Sequence, residues 1–250
     1  MDNTHRFTGK AEIYTKARPC YAPEFIRWLF DELGFRKGQV VADIGCGPGN
    51  LAEALVKKGC TVYGVEPNED MRNEGEGNLA AYDRFISVRA TAEHTGLADK
   101  SVDWVTVGQA FHWFDPVAFK NECQRILKVP EKIVLVWNVR IDDNAQVRET
   151  ASVFGKFCPE FKGFGGGLAH IQDRIAAFFN HSFAARRFRH DLICDKDKFI
   201  ERSLSGSYAL QEEDPQYPLY VAALEALFEK YAVGRLITIP NETIAYYTGA

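Results

Sequence analysis

Val40–Asn50 reads VVADIGCGPGN, and its residue types suit close approach of a ligand to the backbone. An apolar run ends in Asp43, and Gly45, Gly47 and Gly49 then form a turn ahead of a helical pattern. Glycine suits such a turn because a side chain would hold a ligand off the main chain, and because some positions there can need positive φ. A second apolar run ends in Glu66. A carboxylate at that strand end can accept hydrogen bonds from both hydroxyls of a ribose, which points to a nucleoside ligand. On that reading Glu66→Ala weakens nucleoside binding roughly 10- to 100-fold with little loss of folding. A third constellation, Gln109-Ala110-Phe111-His112-Trp113-Phe114-Asp115, follows a later apolar run. His112 is either a general base or a hydrogen-bonded structural histidine.

Other chemistries fit less well. A dinucleotide fingerprint needs glycine where Asn50 stands, and no P-loop is present. Gly163-Phe164-Gly165-Gly166-Gly167 lacks the Lys-Ser/Thr ending of a phosphate loop and reads as a connector. Asp142-Asp143-Asn144 reads as a helix cap rather than a Mg²⁺ site. The six cysteines are scattered, with no C-x-x-C and no short Cys/His pair, so reduced thiols and no metal centre are expected. Arg186, Arg187 and Arg189 read as a solvated basic face.

These residues need a scaffold, and the apolar pattern supplies one. Short, nearly continuous runs at 39–44, 61–66, 84–88, 102–107 and 132–137 have the texture of parallel strands covered on both faces. Helical patterns lie between them at 51–58, around 68–72, and at 116–128, after an opening helix from Pro23 that Gly34 closes. The alternation predicts an α/β, doubly wound, mostly parallel sheet with helices on both faces. Ligands of such sheets bind at the carboxyl ends of strands where the strand order reverses, here between the first and fourth. The glycine turn and the His112 cluster should therefore face each other. Later, 182–193 and 235–247 read as two strands, and Tyr217–Tyr231 as a helix. The expected organisation is one domain over 1–250, with 1–21 as a lid segment and 138–182 as an insertion capping the site.

The 250 residues are 46% hydrophobic and carry 30 basic against 34 acidic side chains, net −4, values that exclude disorder and disfavour a nucleic-acid binder. No apolar run approaches the length of a membrane span, and MDNTHRFTGK lacks the apolar stretch of a signal peptide. A cytoplasmic protein with no membrane or nucleic-acid partner, monomeric or homodimeric, is expected.

The pattern D-x-G-x-G-x-G with Glu66, the loop Ala90-Thr91-Ala92-Glu93-His94, and the 109–115 stretch followed by Arg125-Ile126-Leu127-Lys128 resemble the class I S-adenosylmethionine-dependent methyltransferases. The resemblance is to the type-11-like group, which includes trans-aconitate methyltransferases and is related to ubiquinone/menaquinone methyltransferases. Tyr14-x-x-x-Arg18-Pro19-x-Tyr21 and Val136-Trp137-Asn138-Val139-Arg140 match the same group, so the likeness is clear over 7–140 and weaker beyond. It implies a seven-stranded Rossmann-like sheet with an antiparallel C-terminal strand, and S-adenosylmethionine as cofactor. Cofactor contacts would come from Tyr14, Arg18, Asp43, Gly45, the backbone of Cys46, Gly47, Gly49, Glu66, Pro67, Met71, Ala92, Glu93, Gln109 and Ala110, with His112 catalytic. Met71 packs as an ordinary helix residue on its pattern alone; the resemblance sets it against the adenine. Two departures stand out: Thr91 replaces the usual acidic residue, and Val129-Pro130-Glu131 replaces a Pro-Gly-Gly turn away from the ligand end. The implied activity is O-, N- or C-methylation of a small molecule, a carboxylate among the candidates. The alternative is a module that binds the cofactor without transferring methyl; an NAD-dependent dehydrogenase is disfavoured by Asn50.

Overall fold

A computed structural model describes residues 19–129, 131–141, 144–164, 171–206 and 208–248. Helix α1 (Pro23–Asp31) begins with proline at its first turn and buries Phe25, Trp28 and Leu29 at helical spacing. Gly34, at φ +99°, ends the segment in the left-handed region. Then β1 (Val40–Ile44), α2 (Asn50–Lys57), β2 (Thr61–Val65), α3 (Glu69–Leu79) and β3 (Phe85–Val88) alternate. The second half of the alternation is β4 (Trp104–Gly108), a short 3₁₀ turn at Phe111–Trp113, α4 (Pro116–Ile126) and β5 (Ile133–Arg140).

Seven strands pair in the order β3-β2-β1-β4-β5-β9-β6. The β1–β5 pairs are parallel, whereas β9 (Asn241–Tyr247) runs antiparallel to both β5 and β6 (Ala184–Arg189). The strand order reverses between β1 and β4, as the crossovers require. Alternate residues of the central strands feed two cores: Ala42, Ile44, Val105 and Leu135 pack under α4, while Val41, Val62, Trp104 and Val136 pack under α1 and α2.

The late part is more divided than its apolar pattern suggests. Each expected strand breaks in two, at His190-Asp191 and at Pro240, whose missing N–H cannot extend a ladder. The short pieces β7 (Leu192–Cys194) and β8 (Ile237–Ile239) form a second, two-stranded sheet. Around it gather α5 (Ala145–Phe157), α7 (Lys196–Leu204) and α8 (Tyr217–Tyr231), with Phe154, Phe199, Tyr220 and Phe228 in a third core. This layer leaves the main sheet where Arg140 pairs with Asn241 and Arg189 with Glu242, at the carboxyl end of β5. Helix α6 (Ile171–Phe178) instead joins the first core through Ile175 and Phe178. Asn144, not Asp142 or Asp143, caps α5, its Oδ1 accepting the Val147 N–H at 3.0 Å; the two aspartates lie outside the described residues. Arg186, Arg187 and Arg189 are ion-paired, with Glu32, Glu242 and Asp191.

Candidate functional site

The three glycines of the turn all have positive φ, +67° at Gly45, +54° at Gly47 and +89° at Gly49, but for different reasons. A Cβ on Gly45 would lie 2.6 Å from the Ala110 Cβ and 3.2 Å from the Phe114 ring; one on Gly49 would lie 2.6 Å from Leu79. Those two are closed in by protein. A Cβ on Gly47 would meet nothing within 4 Å, so this residue alone of the three presents open backbone. From α3, Gly75 allows the helix onto the turn: a Cβ there would sit 2.9 Å from the Gly47 carbonyl oxygen. Gly75 escaped the sequence reading, since a single helical glycine carries little pattern. Cys46 directs its sulfur towards β2, where a Cβ on Gly64 would come within 3.0 Å of Sγ, leaving its backbone in the turn. The contact between Gly45 and the Ala110–Phe114 segment is the expected meeting of the two strand ends.

Asp43 is fully buried at the end of β1. Its Oδ1 accepts the Thr106 hydroxyl at 2.8 Å, while Oδ2 has no hydrogen-bond partner among the described residues. Burial raises its carboxyl to about 7 against the Thr106 bond and the Ala52 N–H, and the charge of Glu66 adds to the rise. A buried acceptor left open beside a cleft is a costly arrangement unless a donor arrives there.

Glu66, also buried, is more than a strand-end carboxylate. Its Oε2 accepts the Gly47 N–H at 3.0 Å and its Oε1 the Asn68 N–H at 2.9 Å, tying the glycine turn to the start of α3. Burial pushes its carboxyl above the usual range. Each oxygen keeps a further lone pair for a hydroxyl. The expectation for Glu66→Ala changes accordingly. Cofactor affinity should fall roughly 10- to 100-fold, and stability should fall as well, because two backbone donors are left unsatisfied at about 1–3 kcal/mol each. Calorimetry combined with thermal melts checks both, and an unaltered melt would mean that water replaces the carboxylate. Beside it, Pro67 is half-buried and its carbonyl accepts from Arg72 at 3.4 Å, while Met71 is buried in α3 with its N–H on the Asn68 cap.

On the far side of the cleft, Gln109 adopts φ +56°, a left-handed conformation that costs a non-glycine residue energy and marks a site under constraint. Its N–H bonds the Val136 carbonyl at 2.9 Å. The next residues divide their duties. Ala110 meets Gly45, Phe111 is fully buried with its ring 5.0 Å from that of Phe178, and His112 and Trp113 stay half-buried with ring centroids 4.4 Å apart. Arg174 of α6 reaches across to this turn, donating to the Phe114 carbonyl at 2.8 Å and to the His112 carbonyl at 3.3 Å. Nothing in the local pattern singles out Arg174, because its partners are 60 and 62 positions away. The loop with buried Ala92 is joined to the same turn: Glu93 Oε1 accepts the Asp115 N–H at 3.0 Å. Thr91 is exposed.

The chain enters this site at its N-terminal side. Asn138 donates to the carbonyls of Pro19 and Cys20 at 3.0 and 3.2 Å, and Thr243 bonds both Asn138 and the Ala22 N–H. Tyr21 thereby comes to lie at Gly108, where an added Cβ would strike its hydroxyl. Tyr21, Asp43, the glycine turn, Gly108 and Gln109 line one open cleft. Tyr14 and Arg18 lie outside the described residues. No group of His, Cys, Asp and Glu suited to a metal ion occurs among the described residues.

Known proteins resemble this chain in sequence and in fold. The family model described as a methyltransferase domain matches residues 42–135. An uncharacterized methyltransferase of Mycobacterium tuberculosis is 36% identical over 155 residues, covering 62% of this chain and 61% of the relative. A methyltransferase-like protein of Schizosaccharomyces pombe is 26% identical over 222 residues, covering 84% and 82%. The chain therefore spans about three fifths of the length of the mycobacterial relative. Two solved structures share the fold: a candidate type II methyltransferase of Anaeromyxobacter dehalogenans (TM-score 0.62, 20% identity, covering 92% of this chain and 95% of that one), and a candidate methyltransferase from an antibiotic biosynthesis pathway of Anabaena variabilis (0.63, 21%, 94% and 99%). Residues 42–135 thus match a methyltransferase-domain model, and the sheet order with its antiparallel strand is the fold that the solved methyltransferase structures share.

Proposed function

We propose that this chain transfers the methyl group of S-adenosylmethionine to a small-molecule acceptor, by O-, N- or C-methylation. The observation that carries the reading is one cleft lined by the exposed backbone of Gly47 and the buried carboxylate of Asp43, with the carboxylate of Glu66 bonded to the Gly47 N–H beside it. These groups suit an amino-acid nucleoside: Asp43 for an ammonium, the glycine turn for close backbone approach, Glu66 for ribose hydroxyls. Ala92 and Met71 would flank the base, with the Glu93 loop held in place by Asp115.

The bound sulfonium supplies a methyl carbon that is already activated. The chain's own part is to hold an acceptor in line about 3 Å from that carbon and to exclude water. Residues 1–21 and 138–182 would close over the cleft, with Tyr14 and Arg18 from the first segment joining the cofactor contacts. The anchoring of Pro19 and Cys20 by Asn138, and of the His112 turn by Arg174, supports such closure. His112 would take a proton from an acceptor that must lose one. A cytoplasmic reaction by a single domain, monomeric or homodimeric, fits six free thiols and the lack, among the described residues, of a helix long and apolar enough to cross a membrane.

Calorimetry with S-adenosylmethionine, S-adenosylhomocysteine and NAD tests the binding half, and labelled methyl donor with metabolite extract tests the transfer. Both sulfur nucleosides should bind, NAD should not, and a labelled small molecule should form. Tight NAD binding without response to either sulfur nucleoside would overturn the reading. Sulfur-nucleoside binding with no labelled product would favour the binding module.

A further inference from the structure

Arg140 is the last residue of β5, four positions beyond Val136, which pairs with Gly108 at the level of the cleft. At about 3.3 Å per residue it stands roughly 13 Å further out, in the layer above the strand ends. Alternation puts it on the same strand face as Asn138, the residue that holds Pro19 and Cys20 beside the Tyr21 wall. The side chain is half-buried, with its guanidinium 4.1 Å over the ring of Phe164. Tyr208, Cys194 and Tyr220 are its other electrostatic neighbours, and burial holds its pKa below the ordinary arginine range.

No carboxylate lies within ion-pair distance of Arg140 among the described residues. Two other arginines are treated differently: Arg186 packs near Trp28 and Phe188 yet also pairs with Glu32, and Arg125 pairs with both Glu122 and Asp99. For a partly desolvated guanidinium with no carboxylate partner among the described residues, burial costs more than a ring contact returns. A protein keeps such a group where an anion is to be bound.

We infer that Arg140 is the anion-binding end of the acceptor site, taking a carboxylate or phosphoryl group whose apolar body lies against Phe164 and Tyr208. Its planar fork suits two parallel hydrogen bonds to an oxyanion. Charge neutralised in that way is a recognition handle, so the atom that receives the methyl group belongs to another part of the same molecule. The inference rests on the methyl-transfer reading of the cleft.

The test uses the full chain with saturating S-adenosylhomocysteine, titrated with benzoate, phenyl phosphate and neutral benzamide by calorimetry. Wild type should bind at least one anion ten or more times more tightly than benzamide, and the stronger of the two identifies the class of oxyanion. Arg140→Met and Arg140→Gln should bring that anion to the benzamide level, and Arg140→Lys should retain part of the preference. S-adenosylhomocysteine affinity within about threefold of wild type serves as the folding control. Equal binding of anions and benzamide by wild type, or a preference that persists in a folded Arg140→Met, overturns the site. If S-adenosylhomocysteine fails to bind while benzoate or phenyl phosphate still depends on Arg140, the methyl-transfer reading fails and the anion site stands.

Discussion

His112→Ala is expected to lower kcat by about 10²–10⁴-fold where the acceptor must lose a proton, the usual contribution of a general base, with little change in cofactor affinity. The imidazole sits half-buried on the turn that meets the glycine loop through Ala110 and Phe114, at the point of strand-order reversal. His112→Asn keeps some hydrogen bonding and separates positioning from proton transfer. Arg174→Ala, which releases the carbonyls of His112 and Phe114, should reduce kcat by less and leave the pH–rate limb in place, because the imidazole remains. Turnover of the His112 variants on the labelled acceptor, across pH 5.5–8.5, checks this. Near-normal kcat with weakened cofactor binding would make His112 a binding residue, and a profile without a limb near neutrality would point to an acceptor that needs no base.

Asp43→Asn should weaken S-adenosylmethionine binding about 10- to 100-fold by removing a charge-assisted bond to its ammonium group, worth about 1.5–3 kcal/mol. The pH dependence has a definite sign. The folded carboxyl is raised to about 7 from 3.8, chiefly by burial. The free folded protein therefore binds a proton more tightly than the unfolded chain does. Stability from this group is full below pH 4 and is lost as pH rises through about 7, by at most about 4 kcal/mol. Cofactor binding, which needs the carboxylate, should strengthen over the upper part of the same window. Asp43→Asn should flatten both profiles, so that wild type loses stability relative to the variant between pH 5 and 8. Melts and titrations at matched pH measure it, and parallel melting profiles would mean that Asp43 is not the titrating group.

The central sheet was legible because its strands carry their own signature. Val40–Ala42 and Ile133–Trp137 are apolar on successive residues, the pattern of a strand covered on both faces. Asp43, the glycine turn and Glu66 could be assigned because strand ends are local features, and the β-α-β rhythm then fixes which ends converge. Helices α6 and α7 went unread. Their apolar positions are few, and each is held by packing against distant residues, Ile175 and Phe178 against the Phe111 cluster and Phe199 against Phe228.

From its residues alone, this protein was committed to a mostly parallel α/β sheet whose convergent strand ends carry Asp43, Glu66 and His112 as candidates, since short-range pattern and strand chirality determine which ends converge. Tertiary structure alone decided that Gly47 is the exposed glycine while Gly45 and Gly49 are packed, and that Glu66 clamps the turn. It also decided that Arg174 braces the His112 turn, and that Arg140 lies over the ring of Phe164. Such facts concern which long side chain reaches which distant group. A sequence specifies the reach of an arginine, but only the packed chain specifies what lies at the end of it.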